Sequence, residues 1–499
     1  MTLRKNFSVG VISAIWCAAI GLAVIPFYLK LLGAEAYGLI GFFATTQALL
    51  QLLDMGLSPT INREVARCSV TNNMSFARNL LHSFSLIYWL MALLIGSVFF
   101  FIAPTIASHW LQVDKLPSDT VINSLILMGI VVACRWPVGL YMGAMMGMQQ
   151  VAMTSLINAV FITVSSLGSV VILTFLSPTI TAFFVWQAVI GFSYAVIMHS
   201  IAWFVIKRDD VKLYFSFSSV KRVWRLSVGM SALALTGVIL VQMDKVILSK
   251  VLNLEDFGHY VLAGVVANSL YICLSPLFNS IYPRMSTLVA SGQIDALRRL
   301  YMDGTRIFAS FFFPLVLIIS FYSIDFLVLW TGDVLLAEET GKICSLLILG
   351  TALNGIMHFP YALQLAHGNT NIPLLITIVI IVVLAPLIFI LAKNYGAIGG
   401  AYAWLILNIF YLLFGTWITH KKLLAGEGIY WLINSVILVI LSSISVVGIV
   451  TFFLYDFGHY TYNIICAILG LILSIIVNFL LLPKNIKSKL KCWYELKRF

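Results

Sequence analysis

The stretch Lys30-Leu31-Leu32-Gly33-Ala34-Glu35-Ala36-Tyr37-Gly38 recurs 220 positions later as Lys250-Val251-Leu252-Asn253-Leu254-Glu255-Asp256-Phe257-Gly258. A lysine, a leucine, a glutamate, an aromatic residue and a glycine keep their places, and each copy separates two long apolar runs. Self-similarity at a fixed offset is the signature of a duplicated architecture. The two copies therefore predict a chain built from two related halves.

The composition around these copies is that of a membrane protein. Of the 499 residues, 61% are hydrophobic and 10% are charged, whereas soluble domains carry about 25% charged residues. This composition excludes a soluble enzyme, a nucleic-acid binder and a disordered chain. The seven cysteines are odd in number and form no C-x-x-C motif, which argues against a disulfide framework and against a zinc site.

Hydropathy predicts an all-α polytopic membrane protein with about fourteen transmembrane helices. The first apolar run, 9–32, is too long for the core of a signal peptide, so we interpret it as a retained first helix. The predicted spans are 9–32, 37–57, 80–103, 121–143, 151–176, 179–206, 226–250, 258–282, 307–330, 342–366, 371–393, 396–419, 429–454 and 461–482.

The repeat divides these spans into two lobes. An even number of spans separates the two copies, so both copies have the same orientation and an axis along the membrane normal relates them. The predicted segments are an N-lobe with spans 1–6, a basic cytoplasmic linker, a C-lobe with spans 7–12, two further spans, and a basic cytoplasmic tail. Their boundaries are 1–206, 207–225, 226–420, 421–483 and 484–499.

The placement of the basic residues predicts that both termini are cytoplasmic. In that orientation, 23 of the 30 Lys and Arg residues lie on the cytoplasmic side and five on the other side, as expected from the positive-inside rule. The net charge of +11 is therefore mostly a topology signal. The stretches 286–304 and 484–499 resemble amphipathic helices on an anionic leaflet; the alternative is plain solvated basic segments.

Motifs of enzymatic chemistry are missing from the sequence. It contains no G-x-x-x-x-G-K-[ST] loop, no H-E-x-x-H and no G-x-S-x-G, so the parts needed for ATP hydrolysis, metalloprotease and serine hydrolase chemistry are not there. The predicted outer loops are all short. We therefore expect a protein that is not an enzyme and that holds no metal or other cofactor.

Charged residues inside predicted spans are the best candidates for function, because a charge in the bilayer is costly unless it faces water or a partner. Arg135 lies inside span 4, beside Pro137. Its guanidinium suits bidentate recognition of phosphate, so we interpret it as a cavity cation for an anionic substrate. The alternative is a buried partner of Asp54 or Asp325.

Span 7 contains Asp244 next to Lys245. Adjacent residues on a helix point about 100° apart, so we expect these two not to pair well with each other. Lys245 is then a second cavity cation, with Asp244 as its tuner or as a proton or sodium site. The alternative is that each forms a structural ion pair between the lobes.

Three further titratable residues are candidates for ion coupling. Asp54 lies near the inner end of span 2, where the plainer interpretation is that it snorkels or pairs with Arg63. Asp325 lies near the outer end of span 9. His358, in the string His358-Phe359-Pro360, echoes Arg135-Trp136-Pro137 at an offset of 223; it could titrate near neutral pH, although a lone helical histidine more often fills a core hydrogen bond.

Six short strings together resemble the Wzx-type O-antigen and polysaccharide flippases of the multidrug/oligosaccharidyl-lipid/polysaccharide superfamily. The likeness covers nearly the whole chain, and the collinear set is more convincing than any single string. The strings are PFYLKLLGAEAYGL at 26–39, LDMGL at 53–57, NREVAR at 62–67, DK at 244–245, PRMS at 283–286 and GAIGGA at 396–401.

The resemblance implies translocation of an undecaprenyl-pyrophosphate-linked oligosaccharide across a bacterial inner membrane, through a cationic cavity between two lobes, driven by a proton or sodium gradient. It implies that Arg135 and Lys245 line the cavity, and that Arg63 and Arg284 receive the pyrophosphate at its cytoplasmic mouth. His358 stands where a second cation would match Arg135, so a symmetric pair of cations is in doubt. Membrane lipids, a polysaccharide polymerase and a chain-length regulator are the further partners implied; nucleic acid is not.

Rival functions remain at this stage. A multidrug or cation antiporter of the same superfamily would typically stop at twelve spans and carry acids in its N-lobe cavity. A lipid II flippase would differ mainly in its substrate. A membrane polymerase or ligase would need a large outer loop, and none of the predicted outer loops is long enough.

Overall fold

The computed structural model of the chain describes residues 2–54, 56–71, 73–206, 213–456, 458–483 and 486–487. In this part of the chain the structure is helical, and the only extended pairing is an isolated bridge between Gln112 and Asn253. The predicted all-α fold is confirmed. Residues 207–212 of the predicted linker, and the predicted tail 484–499 apart from 486–487, lie outside the described residues.

The chain forms two compact units, Met1–Gly258 and His259–Phe499. The predicted lobe boundaries, which place span 7 with the second half, stay a prediction. The helices of the first unit, with one that begins at its end, are α1 (Thr2–Leu50), α2 (Leu57–Val70), α3 (Met74–His109), α4 (Ser118–Gly147), α5 (Val151–Phe175), α6 (Ile180–Val205), α7 (Phe217–Val251) and α8 (Leu254–Ser269).

The second unit continues with long helices that are interrupted in several places. Short turns of wider π-helix, at Tyr411–Gly415 and Leu432–Ile437, lie between some of them. Its helices are α9 (Tyr271–Ala290), α10 (Ile294–Phe321), α11 (Ser323–Thr331), α12 (Val334–Ile356), α13 (His358–Ala366), α14 (Asn371–Tyr395), α15 (Ala397–Phe410), α16 (Thr416–Leu423), α17 (Gly428–Trp431), α18 (Leu438–Leu454) and α19 (Tyr460–Leu480).

Within the described residues, twelve helical segments are long and apolar enough to cross a membrane. The first, Ser8–Asp54, would be about 70 Å long at 1.5 Å per residue, more than twice the hydrocarbon thickness. It contains the first predicted span and most of the second, and its backbone leaves helical geometry at Gly33, where φ is 84°. α7 covers the seventh predicted span. The described residues of each predicted span thus lie mainly in helices, with a break at Tyr322 inside the ninth span.

Large apolar side chains on the outside of the helices identify the surface that faces lipid. In α14, the segment with a mean hydropathy of 3.4, Leu375, Val382 and Phe389 are all more than half exposed. Such a surface would be unfavourable in water but is the expected one in a bilayer, where the helix satisfies its own backbone hydrogen bonds.

Each unit has its own packed core. In the first unit, α3, α4 and α6 meet around Phe84, Tyr141 and Met198, which are all fully buried. In the second unit, α10, α18 and α19 meet around Leu317 and neighbouring apolar residues. The last two spans are therefore packed into the second unit.

The stretch 286–304 is not a surface helix, which corrects the prediction of an amphipathic helix on the leaflet. α9 ends at Ala290 and α10 begins at Ile294, with a tight turn between them where Gly292 has a φ of 69°. Leu297 and Tyr301, the apolar face of the predicted amphipathic helix, are fully buried inside the protein. The apolar face was real, but it packs against protein and not against lipid.

The two copies of the repeated stretch contact each other through their glycines. A Cβ atom on Gly38 would collide with the carbonyl oxygen of Leu254, and a Cβ atom on Gly258 would collide with the carbonyl oxygen of Ala34. The two contacts are related by the same offset of 220 positions as the sequences. Only glycine allows two backbones to approach this closely, so the repeat encodes a symmetric helix contact.

Polar groups reinforce this contact on the predicted outer side. The carboxylate of Glu35 is buried and accepts hydrogen bonds from the backbone N–H groups of Asp114 (2.8 Å) and Lys115 (3.0 Å). The ammonium of Lys115 lies 2.5 Å from the carboxylate of Glu255, the counterpart of Glu35 in the second copy. The matching glutamates of the two copies thus both bind the loop before α4.

Candidate functional site

The first unit encloses a cavity of about 470 Å³ with a mixed polar and apolar lining. It is lined by the end of α1, the turn at Gln51–Asp54, the beginning of α2, the middle of α4 and the side chains of Leu235 and Val238 on α7. The polar side chains on its wall include Gln47, Gln51, Asp54 and Arg135. Gln47, Gln51, Asp54 and Arg135 all belong to segments that are long and apolar enough to span a membrane.

Arg135 lies on the cavity wall, as the sequence predicts for a cavity cation. It comes from the middle of α4 and is half-buried. Its Nη2 donates hydrogen bonds to Oε1 of Gln187 (2.5 Å) and Oγ of Ser165 (3.4 Å), and its guanidinium carbon lies 6.0 Å from the ring centre of Phe43. These partners are all neutral, and Arg135 forms no ion pair within the described residues.

The neutral partners leave part of the guanidinium available. A guanidinium has five N–H donors, and only Nη2 makes hydrogen bonds to the part of the chain that the structure describes. Asp54 does not pair with Arg135 there, so the alternative of a buried ion pair between these two residues is not found. A positive charge that is held in place by neutral groups is suited to an incoming anion.

Asp54 also lines the cavity, and hydroxyl groups hold its carboxylate. Oδ1 accepts a hydrogen bond from Oγ of Ser58 at 2.9 Å and a short one from the hydroxyl of Tyr88, and Oδ2 accepts one from the backbone N–H of Ser58 at 3.2 Å. The suggested pairing with Arg63 is not found among the described residues; Arg63 is exposed on α2. Asp54 is thus part of the cavity wall.

A stripe of glycines on α4 brings α2 close enough to form this wall. A Cβ atom on Gly143 would lie 2.5 Å from the carbonyl oxygen of Ser58, and one on Gly147 would lie 2.6 Å from the carbonyl oxygen of Asn62. The sequence contains this pair as a weak G-x-x-x-G signal, and the structure gives it a clear role in close helix packing. The contact fixes Ser58, which in turn binds Asp54.

Asp244 and Lys245 do pair with each other, so the prediction that they would not is wrong. The ammonium of Lys245 lies 3.3 Å from Oδ1 and 3.5 Å from Oδ2 of Asp244, and it also donates to the carbonyl oxygen of Val241. The flexible four-carbon stem of lysine curls back along the helix, which a comparison of Cβ directions does not consider. Neither residue is among those that line the cavity.

The remaining predicted residues lie in the second unit. Arg284 is exposed near the end of α9. Asp325 is buried in the first turn of α11, where Oδ1 accepts a hydrogen bond from Nδ2 of Asn463 at 2.7 Å. His358 begins α13, and its Nδ1 lies 3.1 Å from the carbonyl oxygen of Gly355. The echo of Arg135-Trp136-Pro137 is therefore partial, because α4 is continuous there and the second unit has a break at Met357.

Sequence analysis missed several polar residues that line the cavity or bind Arg135. Gln187 and Ser165, the partners of Arg135, are neutral residues on α6 and α5. Gln47 lies near the end of α1, and Gln51 lies four positions later in the turn that follows. Polar amides inside apolar runs were the available clue, because burying an amide in a membrane is unfavourable without a partner.

Comparison with known proteins gives a family for the chain and solved structures with a similar fold. The family model described as "Polysaccharide biosynthesis protein" matches residues 3–289. A search of curated proteins found no match. Among solved structures, the lipid II flippase MurJ in an inward closed conformation is similar over 93% of this chain and 97% of its own, with 16% identity and a TM-score of 0.60.

Two further solved structures have the same fold. An inward-facing multidrug resistance MATE family transporter of the MOP superfamily matches 84% of this chain and 95% of its own, with 14% identity and a TM-score of 0.61. A MOP superfamily transporter from Pyrococcus furiosus, described as having a binding pocket of reverse polarity, covers the same shares with 14% identity and a TM-score of 0.54. At these identities the likeness concerns the fold.

Proposed function

This chain belongs to the family of polysaccharide biosynthesis proteins, and from that premise we propose that it flips an undecaprenyl-pyrophosphate-linked oligosaccharide, such as an O-antigen repeat unit. The direction is from the cytoplasmic to the periplasmic leaflet of a bacterial inner membrane. A charged pyrophosphate with its sugars cannot cross about 30 Å of hydrocarbon unaided. The protein has to supply a polar path for the head group while the prenyl tail stays in lipid.

The observation that carries the proposal is the state of Arg135. It is a permanent cation inside a membrane-spanning segment, it faces a cavity of about 470 Å³, and its hydrogen-bond partners in the described part of the chain are neutral. Keeping an uncompensated charge there is costly. An anionic substrate would explain why this charge is kept, because the oxygens of a pyrophosphate would accept hydrogen bonds from the remaining N–H groups of Arg135.

The polar lining of the same cavity suits the head group of the substrate better than its lipid tail. Asp54, Gln47 and Gln51 add acceptors and donors for hydroxyl-rich groups to the wall that holds Arg135. Transport then requires the cavity to open to each side in turn. We further propose that a proton or sodium gradient drives this cycle, with Asp54, Asp244, Asp325 and His358 as the candidate coupling residues.

Substitution of Arg135 tests the proposal. In a strain that lacks the native gene, Arg135→Ala should reduce surface polysaccharide at least tenfold at an unchanged protein level, and Arg135→Lys should reduce it less because the charge is kept. Cys134→Ala is the matched control: it is the preceding residue of α4, but it lines a separate apolar groove and not this cavity. Wild-type polysaccharide from Arg135→Ala would refute the assignment.

A further inference from the structure

In the second unit, α9 exposes polar side chains where a lipid-facing helix would expose apolar ones. The helix belongs to the segment Leu254–Ala290, which is long and apolar enough to cross a membrane. Ser275 and Asn279 are exposed on it, one turn apart. Neither side chain makes a hydrogen bond within the described residues. An unsatisfied amide in hydrocarbon is costly, so this face of α9 borders water and not lipid.

An aromatic cluster lies directly beside these polar residues. Phe278 is its centre, with its ring stacked on Tyr282 (centroids 5.6 Å apart, planes at 7°) and on Tyr361 of α13 (5.7 Å, 26°). The edge of His358 closes the cluster at 5.9 Å. The rings of Phe278, Tyr282 and Tyr361 are half-buried, so part of each ring is accessible.

The polar tips of this cluster are available to a ligand. The hydroxyls of Tyr282 and Tyr361 have no hydrogen-bond partner in the described part of the chain. Tyr271 on the same helix differs, because its hydroxyl donates to Oδ1 of Asn354 at 2.9 Å. Tyrosine hydroxyls normally find partners when they leave water, so two unpartnered ones beside an exposed amide point to groups that bind something polar.

We propose that the face of α9 made by Ser275, Phe278, Asn279 and Tyr282, together with Tyr361, binds sugar rings of the translocated oligosaccharide; this inference rests on the proposed function. A sugar has an apolar face of C–H groups and a rim of hydroxyls. Aromatic rings pack against the C–H face of the sugar. The amide and the phenolic hydroxyls form hydrogen bonds with the sugar hydroxyls, both as donors and as acceptors. The face has no carboxylate, which fits a neutral ligand better than a cationic one.

Arg135 and the α9 face differ in the chemical groups that they offer to a ligand. Arg135 in the first unit offers a charge-assisted hydrogen bond to a phosphate group. The α9 face offers stacked rings and neutral polar groups, with Arg284 exposed further along the same helix. A substitution in the α9 face is therefore expected to weaken the binding of the glycan, and a substitution of Arg135 to weaken the binding of the pyrophosphate.

The test compares two lipid probes on purified full-length protein in detergent, with affinities measured by native mass spectrometry. One probe is undecaprenyl pyrophosphate without sugars; the other is the undecaprenyl-pyrophosphate-linked oligosaccharide extracted from the native host. Phe278→Leu and Asn279→Ala should each lower the affinity for the glycan-bearing probe about tenfold and leave the bare probe unchanged. Phe389→Leu, the same change at an exposed ring of α14, should affect neither.

The outcomes separate this inference from the proposed function. If Phe278→Leu and Asn279→Ala bind the glycan-bearing probe like the wild type, or weaken both probes equally, the α9 face is not a sugar site, even though the proposed function can stand. If Arg135→Ala leaves both affinities unchanged, the proposed pyrophosphate site fails. If the wild type binds the two probes equally well, the sugars add no binding and the inference is overturned.

Discussion

Adding a single methyl group to Gly38 or Gly258 should open the contact between the two repeated stretches. A Cβ atom on Gly38 would lie 3.1 Å from the carbonyl carbon of Leu254, and one on Gly258 would lie 3.3 Å from that of Ala34, with the carbonyl oxygens closer still. The van der Waals attraction between two non-bonded carbon atoms is strongest at a separation of about 3.5–4.0 Å. Because the obstacle is backbone, no side-chain rotation relieves it, and the helices have to separate.

The expected cost is that of an overpacked site, about 1–3 kcal/mol for each substitution. That corresponds to a shift of roughly 5- to 150-fold in the balance between the closed contact and a separated one. Since each glycine meets the backbone of the other copy, the two substitutions act on one interface. The double variant should therefore cost less than the sum of the single ones.

The assay is labelling of Ala36→Cys with a membrane-impermeant maleimide, together with thermal unfolding in detergent. Ala36 is buried beside Gly38, so its labelling should be slow in the parent and faster once Gly38→Ala or Gly258→Ala is added. Gly264→Ala is the matched control, because a Cβ atom there meets nothing within 4 Å. It should leave the labelling rate unchanged. Parental labelling and stability in Gly38→Ala would refute the reasoning.

Three further perturbations follow from the same geometry. Gly143→Val should destabilise the protein by about 1–3 kcal/mol in thermal unfolding and weaken the binding of undecaprenyl pyrophosphate, because it pushes α2 away from the cavity. Glu255 and neighbouring carboxylates raise the pKa of Lys115 above its ordinary value of about 10.4. The ion pair therefore stabilises the fold at pH values below the ordinary pKa of lysine, and this stabilisation is lost as the pH rises through the raised pKa. Between pH 10 and 12 the melting temperature should fall more in the wild type than in Lys115→Met. The difference between the two proteins should be smaller at 1 M salt. Asp244→Asn should leave Lys245 uncompensated and tighten the binding of undecaprenyl pyrophosphate, an effect that Asp244→Asn with Lys245→Met should abolish; equal affinities in all three proteins would contradict it.

The membrane fold was predictable from the sequence because it depends on segment averages. Twenty apolar residues in a row specify a spanning helix whatever their neighbours are. The glycines of the repeat were also visible, since Gly38 and Gly258 keep their places across an offset of 220 positions. What they contact was not, because the pattern does not say that each glycine meets the backbone of the other copy.

The failures have a common physical cause. An amphipathic pattern such as that of 286–304 states that one face is apolar, and both a lipid surface and a protein core satisfy it; Leu297 and Tyr301 face the core. The directions of the Cα–Cβ bonds give only the point where each side chain leaves a helix. A long lysine side chain can still reach the residue beside it, as Lys245 reaches Asp244. Sequence gives the type of surface, and the tertiary structure decides what covers it.

Part of the site was within reach of the sequence. Arg135 was a clear candidate because a charge in an apolar run is unfavourable unless it faces water, a partner or a ligand. Its partners Gln187 and Ser165 come from other helices, and no periodicity brings them to Arg135. The aromatic cluster around Phe278 was hidden for another reason: aromatic residues are common in membrane helices, and only their stacking and exposure separate these from lipid-facing ones.

Under the proposed function, the state of the two predicted cations affects how readily the substrate is released. Asp244 offsets the charge of Lys245, while Arg135 keeps neutral partners in the described part of the chain. A hydrogen bond to a charged group contributes about 1.5–3 kcal/mol, enough to favour pyrophosphate in the cavity by roughly 10- to 150-fold. Several uncompensated cations would hold it far more tightly and slow its release. One free guanidinium with a second, masked cation is therefore a better arrangement for a carrier than a ring of positive charge.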